Sequence, residues 1–377
     1  MESLRKLLSL ERYEKMRNTE PVSYDPASGT WSVFKYRDAK IVIADHEHFS
    51  SRFIETPSEE QPIEASILRT DPPKHKQLRS LVMQAFTPRV IEGFAPQIHS
   101  VAENMLDHAL AKGKIDAVRD YASPLPIMII AEMLGIPNED REKFKQWSDA
   151  LVGTDYAHYL QCQQDMSDYF ALIAEQRRSC MQDDLISNLV RAQDEGAQLS
   201  ALELIGFCIL LLVAGNETTT NLISSALLCL GSRPEDYAEV AADRSLLPQA
   251  IEEVLRYCSP VQSMPRRVRK NVVLNGHQFA EGETVDIMIG SANHDEDVFV
   301  SPQYFDIHRK SNPHLAFGHG IHFCLGAQLA RLEAKIALNV FMDKIRCFQG
   351  DREIPLERLD SSFIFGVKQL PLILERR

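Results

Sequence analysis

A ten-residue stretch in the last fifth of the chain concentrates groups suited to chemistry: Phe317-Gly318-His319-Gly320-Ile321-His322-Phe323-Cys324-Leu325-Gly326. Three glycines allow unusual backbone angles and close approach of the main chain to something flat or bulky. Cys324 stands just before the first apolar position of a helix whose face is marked by Leu325, Leu329, Leu332, Ile336 and Val340. At such a helix start, free N–H groups and the positive end of the dipole favour a thiolate over a thiol. A thiolate there could act as a metal ligand, or as a nucleophile paired with His319 or His322. The plain alternative is a small buried hydrophobe, the commonest fate of an isolated intracellular cysteine.

Three further sets of polar groups stand out. Ala214-Gly215-Asn216-Glu217-Thr218-Thr219 falls in the middle of a helix over about 202–230 that is apolar on all faces and roughly 43 Å long. A carboxylate and hydroxyls in such a place are costly unless hydrogen-bonded, and the plain reading is a solvated kink or cap. The segment Asp71-Pro72-Pro73-Lys74-His75-Lys76-Gln77-Leu78-Arg79 opens a helix. His75 and Arg79, four apart, share a face, which on its own could be a solvated basic turn. Pro248 suits a first helical turn, and Glu253 and Arg256, three apart on that helix, are able to pair.

The elements that must position these groups are mostly helical. Residues 21–36 read as a hairpin, with strands at Pro21–Tyr24 and Trp31–Tyr36 around a turn at Asp25–Gly29. From about 74 to 230, apolar residues recur at helical spacing. A second β region has Val272–Leu274, the turn Asn275-Gly276, Gln278-Phe279, and a strand at Thr284–Ile289. Residues 298–323, with Pro302, Pro313, Gly318 and Gly320, have no helical period and form a long irregular segment. No linker, repeat or low-complexity tract divides the chain. The pattern predicts one mainly α domain with small β-sheets, an α+β arrangement.

Composition narrows the function. The 377 residues carry 44% hydrophobic and 25% charged residues, and by length alone would suit two or three domains. A net charge of −12, from 53 acidic against 41 basic residues, argues against a nucleic-acid partner. Seven cysteines, odd in number and never in CxxC spacing, argue against a disulfide framework or a structural zinc site. The charged start, Met1 to Asn18, has no signal-peptide pattern. The apolar run Leu204 to Gly215 falls short of the roughly 20 residues a membrane span needs. These features lead to the expectation of a soluble, cytoplasmic, reduced protein without a membrane anchor.

Phe-Gly-x-Gly-x-His-x-Cys-x-Gly is matched here at every fixed position, and it resembles the haem-binding loop of the soluble bacterial cytochromes P450. The resemblance covers the chain from the first hairpin to the end and brings the other motifs together in the family's order. It implies the family's triangular helical fold with a long central helix over the haem, and a single catalytic domain over residues 1–377 without a fused reductase. By resemblance, Cys324 is the proximal ligand of haem b iron, whose thiolate donation favours O–O cleavage. Phe317 and Gly318 belong to the cofactor loop, and His75, Arg79, Arg266 and His322 match positions that bind haem propionates, a role cationic donors suit. Arg267 adjoins Arg266 and competes for that assignment. Glu217 and Thr218 match the acid–alcohol pair that relays protons for oxygen activation. Glu253 and Arg256 match the family's structural ExxR pair. Its usual third member is replaced by Tyr304 within Pro302-Gln303-Tyr304-Phe305, leaving Arg309 as the substitute.

The function implied is a monooxygenase that inserts one atom of dioxygen into a lipophilic small molecule such as a fatty acid, terpenoid or steroid. By position, the substrate candidates are the loop 53–68, the stretch 151–160, Val213, Ala214, Val261, Gln262, Ser263, Met264 and the Phe363-Ile364-Phe365 segment, with Gln262 and Ser263 as polar handles. Electrons would come from a separate ferredoxin or flavodoxin with its reductase, docking on Lys74, Lys76, Arg331 and Lys335. The competing readings are a peroxide-driven peroxygenase, whose members characteristically lack the acid–alcohol pair, and a non-catalytic haem sensor or electron carrier.

Overall fold

A computed structural model of the chain describes residues 2–58, 61–111, 115–152, 155–351 and 353–377. It divides into two compact units, one of Met1–Phe49, Ala95–Leu125 and Thr218–Arg377, the other of Ser50–Phe94 and Pro126–Glu217.

The first unit holds the sheets. Strands Val22–Asp25 and Thr30–Val33 pair antiparallel around a turn whose Asp25 carboxylate accepts from the Ala27 N–H (2.9 Å) and the Ser28 hydroxyl (2.8 Å). The second strand stops at Val33, short of the expected Tyr36, because Tyr36 begins a helix to Ala44 and gives its N–H to the Asp295 carboxylate at 2.8 Å. Thr30–Val33 runs parallel to Thr284–Ile287, which pairs antiparallel with Met264–Val268. Alternation along these strands sends Val33, Val285 and Ile287 into a core with Val42, Phe49 and Phe279. The hairpin Val272–Leu274/His277–Phe279 turns through Asn275 and Gly276, both at positive φ (50° and 79°), as a two-residue turn of this hand requires.

Two helices of this unit flank the glycine-rich loop that ends at Gly326. Leu247–Tyr257 has Pro248 in its first turn. Ala327–Lys344 starts two residues later than the expected Leu325 and is capped by Gly326. Up to Cys324 the chain is held in a loop by the bond from the Cys324 N–H to the Phe317 carbonyl seven residues earlier, at 2.8 Å.

The second unit is helical, with Lys74–Val82, Tyr156–Ser179 and Leu185–Asp194. Asp155 and Asp184 cap the last two by accepting N–H groups of His158 and Ser187. Asp184 also pairs with buried Arg177 at 2.6 Å, whose other arm reaches the Gly135 carbonyl at 2.7 Å.

One helix, Ala201–Gly231, runs through the boundary of the two units. Among the described residues it alone is long and apolar enough, by length and composition, to cross a membrane, and half of its most apolar stretch is buried. The apolar run that ends at Gly215 therefore does not mark its end, because the helix continues through Asn216–Asn221, whose polar side chains are mostly buried.

Between Asn293 and Gly326 the chain is irregular except for a turn at Gly320–His322. What fixes it is a buried network on the Leu247–Tyr257 helix. Glu253 and Arg256 are fully buried and pair through two bonds, 2.7 and 2.8 Å. Arg256 also donates to the carbonyls of Asn293, Pro302 and Tyr304, each at 3.0 Å. Arg309 donates to Glu253 at 2.9 Å and to the Val300 carbonyl at 2.8 Å, and Asn312 reaches the same carboxylate at 3.1 Å. Tyr304 takes part through its carbonyl, while its side chain is exposed. Replacing Arg309 by Ala would leave a buried carboxylate and the Val300 carbonyl short of donors, at a cost of about 2–4 kcal/mol. The urea midpoint should fall with the slope unchanged, and Arg309→Lys should recover only part of the loss, since an ammonium cannot reproduce the fork. A midpoint equal to wild type for Arg309→Ala would mean that this network does not stabilise the fold.

Candidate functional site

The Phe317–Gly326 loop is built by its backbone. Gly318 and Gly320 lie in the left-handed region (φ 72° and 70°), where a side chain would be strained. Bonds Gly318 N–H to Leu315 O (2.8 Å), Phe323 N–H to Gly320 O (3.1 Å) and Cys324 N–H to Phe317 O (2.8 Å) close successive turns. At Gly320 an added Cβ would sit 3.3 Å from the Ala44 Cα, so the loop also lies close against a helix end. This folding leaves Cys324 and neighbouring Phe323 exposed, whereas Cys162, Cys208, Cys229 and Cys258 are buried. The reading of Cys324 as a small buried hydrophobe is therefore wrong for this cysteine. His322 is half-buried on the turn before it.

Among the described residues, no group of three or more His, Cys, Asp or Glu is arranged to hold a metal ion. Cys180 and Cys347 are also exposed, but only Cys324 lies on the glycine loop, and one thiol without further protein donors suits a metal that brings its own, as haem iron does. The donor set thus fits a haem group.

Strand geometry separates the two neighbouring arginines. Arg266 is buried and lies opposite Val285, while Arg267 faces outward and is exposed. In the same unit, Thr218 is half-buried and Thr219, Thr220, Asn221, Ser224 and Ser225 are buried. The Thr220 hydroxyl lies 3.5 Å from the Ala122 carbonyl.

The second unit carries His75, buried, and Arg79, half-buried, on one face of Lys74–Val82. Its part of the long helix has Glu217 buried, Val213 half-buried and Ala214 exposed. The exposed Ala214 stands two residues before the buried polar run. Lys74 is already engaged, 2.8 Å from both Glu203 and the Gln198 carbonyl.

The substrate candidates divide. Ser263 and Met264 are half-buried, Ile364 is buried and bridges to Val261, and Phe363 is exposed. Gln262 must be corrected: its amide donates to the Ser259 carbonyl at 2.7 Å and accepts the Tyr13 hydroxyl at 3.1 Å. At Gly290 an added Cβ would lie 2.2 Å from its Oε1, so backbone closes over it. Gln262 ties three segments together and is not a polar handle. Within the stretches 53–68 and 151–160, residues 59–60 and 153–154 lie outside the described residues, as do the side chains of residues 151 and 152.

One group of contacts carried no local signal in the sequence. Glu252 accepts two bonds from Arg331, 2.6 and 2.8 Å, and one from His314 Nε2 at 3.1 Å. Burial alone would raise the Glu252 carboxyl, but the Arg331 and His314 bonds outweigh it and hold it down at about 2. The Arg331 guanidinium carbon lies over the Phe317 ring, 4.5 Å from its centroid, a cation–π contact. These partners are far apart in sequence, so no spacing rule links them. Arg331 is thereby largely neutralised as a docking cation, while Lys76 and Lys335 are exposed.

Comparison with known proteins agrees with this geometry. The family model described as Cytochrome P450 matches residues 126–374. The chain is 43% identical over 367 residues to the putative cytochrome P450 YjiB of Bacillus subtilis, covering 94% of this chain and 91% of that protein. It is 36% identical over 387 residues to a methyl-branched lipid omega-hydroxylase of Mycobacterium bovis, covering 96% and 90%. The crystal structure of CYP109E1 from Bacillus megaterium in complex with testosterone superposes with a TM-score of 0.93 at 40% identity, over 98% of each chain.

Gln262→Leu tests the corrected role. It leaves the Tyr13 hydroxyl and Ser259 carbonyl without their partner and should cost about 1–3 kcal/mol in urea unfolding. Affinity for a lipophilic ligand, read from the Soret shift, should stay within about threefold. Tenfold weaker binding with unchanged stability would reinstate Gln262 as a substrate contact.

Proposed function

Because the chain belongs to the cytochrome P450 family and is a haem-thiolate monooxygenase, we propose that it holds haem b through Cys324 and oxidises a steroid-sized or fatty lipophilic molecule. The observation that carries this is the exposed Cys324 thiol on a glycine loop pinned by its own N–H to Phe317. Bound there, haem iron supplies activation of dioxygen and insertion of one oxygen atom into a C–H bond or double bond, with the thiolate favouring O–O cleavage.

The chain's own groups take distinct roles in this reading. Cys324 would supply its thiolate to the iron, and Phe317 and Gly318 belong to the loop that carries it. His322 and Arg266 would bind propionate carboxylates through charge-assisted bonds, and the family resemblance gives His75 and Arg79 the same role. Burial of Arg266 and His75 supports this assignment. Glu217 and Thr218 move protons from their carboxyl and hydroxyl groups toward the reacting oxygen, a task that favours a buried acid beside an alcohol. Val213, Ala214, Ser263, Met264 and Ile364 line the substrate side, where apolar surface excludes water. Residues 1–377 are a single catalytic domain in this reading, as the family resemblance implies.

The testosterone complex of one relative and the lipid omega-hydroxylase name of another support a lipophilic substrate of steroid or fatty type. We further propose a cytoplasmic, soluble enzyme reduced by a separate ferredoxin or flavodoxin, with exposed Lys76 and Lys335 contributing to its docking. The Glu217–Thr218 pair counts against a peroxygenase, and a proton relay has no use in a haem sensor or electron carrier.

Two outcomes test this reading. The dithionite-reduced protein with carbon monoxide should show a strongly red-shifted Soret band, absent from Cys324→Ser. Purified wild type that binds no haem would return Cys324 to being a candidate nucleophile. Thr218→Ala should lower product per electron consumed, by roughly tenfold or more, while peroxide release rises. Unchanged coupling in that variant would remove Thr218 from the relay.

A further inference from the structure

We infer that Glu252 and Arg331 are positioning residues for the haem ligand: they clamp the Phe317 ring and, through the Phe317 carbonyl, set the position of Cys324. The inference rests on Cys324 being that ligand. Each contact in the chain is direct. The Glu252 carboxylate takes two bonds from Arg331, Nε to one oxygen and Nη2 to the other (2.6 and 2.8 Å), a forked pairing that holds the guanidinium. The guanidinium carbon lies over Phe317, 4.5 Å from the ring centroid. The Phe317 carbonyl accepts the Cys324 N–H at 2.8 Å.

His314 completes the clamp. Its Nδ1 accepts the Ala316 N–H at 3.3 Å, so the neutral ring carries its proton on Nε2 and donates it to Glu252 at 3.1 Å. The same imidazole lies 6.1 Å from Phe317, tilted at 51°. Glu252 therefore binds both the residue three positions before Phe317 and the residue seven positions after Cys324.

Between Phe317 and Cys324, Gly318 and Gly320 both take positive φ. Phe317 at the start of the loop is held by Arg331, and the helix that follows the loop carries Arg331 itself. A lysine at 331 would preserve the charge but not the fork. The competing explanation is an ordinary half-exposed ion pair, which contributes little.

The experiment compares wild-type holoenzyme with Arg331→Gln, Arg331→Lys and Glu252→Gln, each alone and combined with Phe317→Leu. The first readout is the rate at which the reduced, carbon-monoxide-bound protein loses its red-shifted Soret band under mild heating. Arg331→Gln should lose it roughly tenfold faster, with Arg331→Lys between it and wild type. In the Phe317→Leu background the Arg331 substitutions should add little, because the ring they act through is gone. The second readout, hydrogen exchange by mass spectrometry on the single variants, needs no Phe317 substitution. Faster exchange should be confined to residues 317–324 and spare the Ala327–Lys344 helix. A wild-type rate in Arg331→Gln, the same acceleration with and without Phe317, or exchange spread along the helix would each overturn the clamp while leaving the haem-ligand assignment intact. Wild type without the red-shifted band would overturn that assignment and the clamp with it.

Discussion

A long irregular segment has to hold its buried carbonyls somewhere, and in this protein two guanidinium groups bound to one carboxylate do so. From Asn293 to Gly326 there is no ladder to absorb backbone polar groups. Arg256 directs all its donors inward, to Glu253 and to the carbonyls of Asn293, Pro302 and Tyr304. Arg309 covers Val300 and approaches Tyr304, while the Asp306 N–H fills the remaining place on Glu253 at 3.0 Å. Buried ion pairs rarely add much net stability over apolar packing, but breaking one strands a charge. The arrangement ties the conformation of the segment to the burial of the charges. The loop that presents Cys324 is the end of that segment, so its placement depends on Glu253 before any cofactor contact.

What could be read from the sequence depends on how local its cause is. The hairpins at 21–36 and 272–279 were legible because turn chemistry acts over two to five residues, and Asn275-Gly276 takes the positive φ its residues allow. The Cys324 loop was legible because its residue types are fixed at short spacing. The helix start at Ala327 was not, since the Cys324-to-Phe317 bond that holds the preceding loop closes across seven residues. Gln262 looked like a polar handle because it sits in an apolar strand edge. Its partners, Tyr13 and Ser259, are set by packing that no pattern at 262 encodes. Arg266 and Arg267 were equivalent as letters, and only strand register makes one inward and the other outward.

The long helix shows where hydropathy and structure part company. By composition it passes for a membrane span, yet its centre carries Asn216, Glu217, Thr219, Thr220 and Asn221, all buried. Polar groups at such a position are expensive in an apolar environment and are retained only where they do something there. In the function proposed above, the use of Glu217 and Thr218 is proton donation, which oxygen chemistry needs in otherwise dry surroundings.

Glu252 and Glu253 are adjacent in sequence, and on a helix adjacent side chains point about 100° apart. That rotation lets two successive carboxylates govern two different stretches of the same irregular segment. Glu253 faces residues 306–312 and holds the approach. Glu252 faces His314 and, through Arg331, Phe317 and the helix that leaves the loop. Had the two been spaced by three or four residues, they would share a face and compete for the same partners. The dipeptide therefore brackets the cysteine loop from one rigid helix, and a shift of that helix would move both ends of the loop together. Such coupled motion preserves the geometry at Cys324, whereas two independent anchors would shear it.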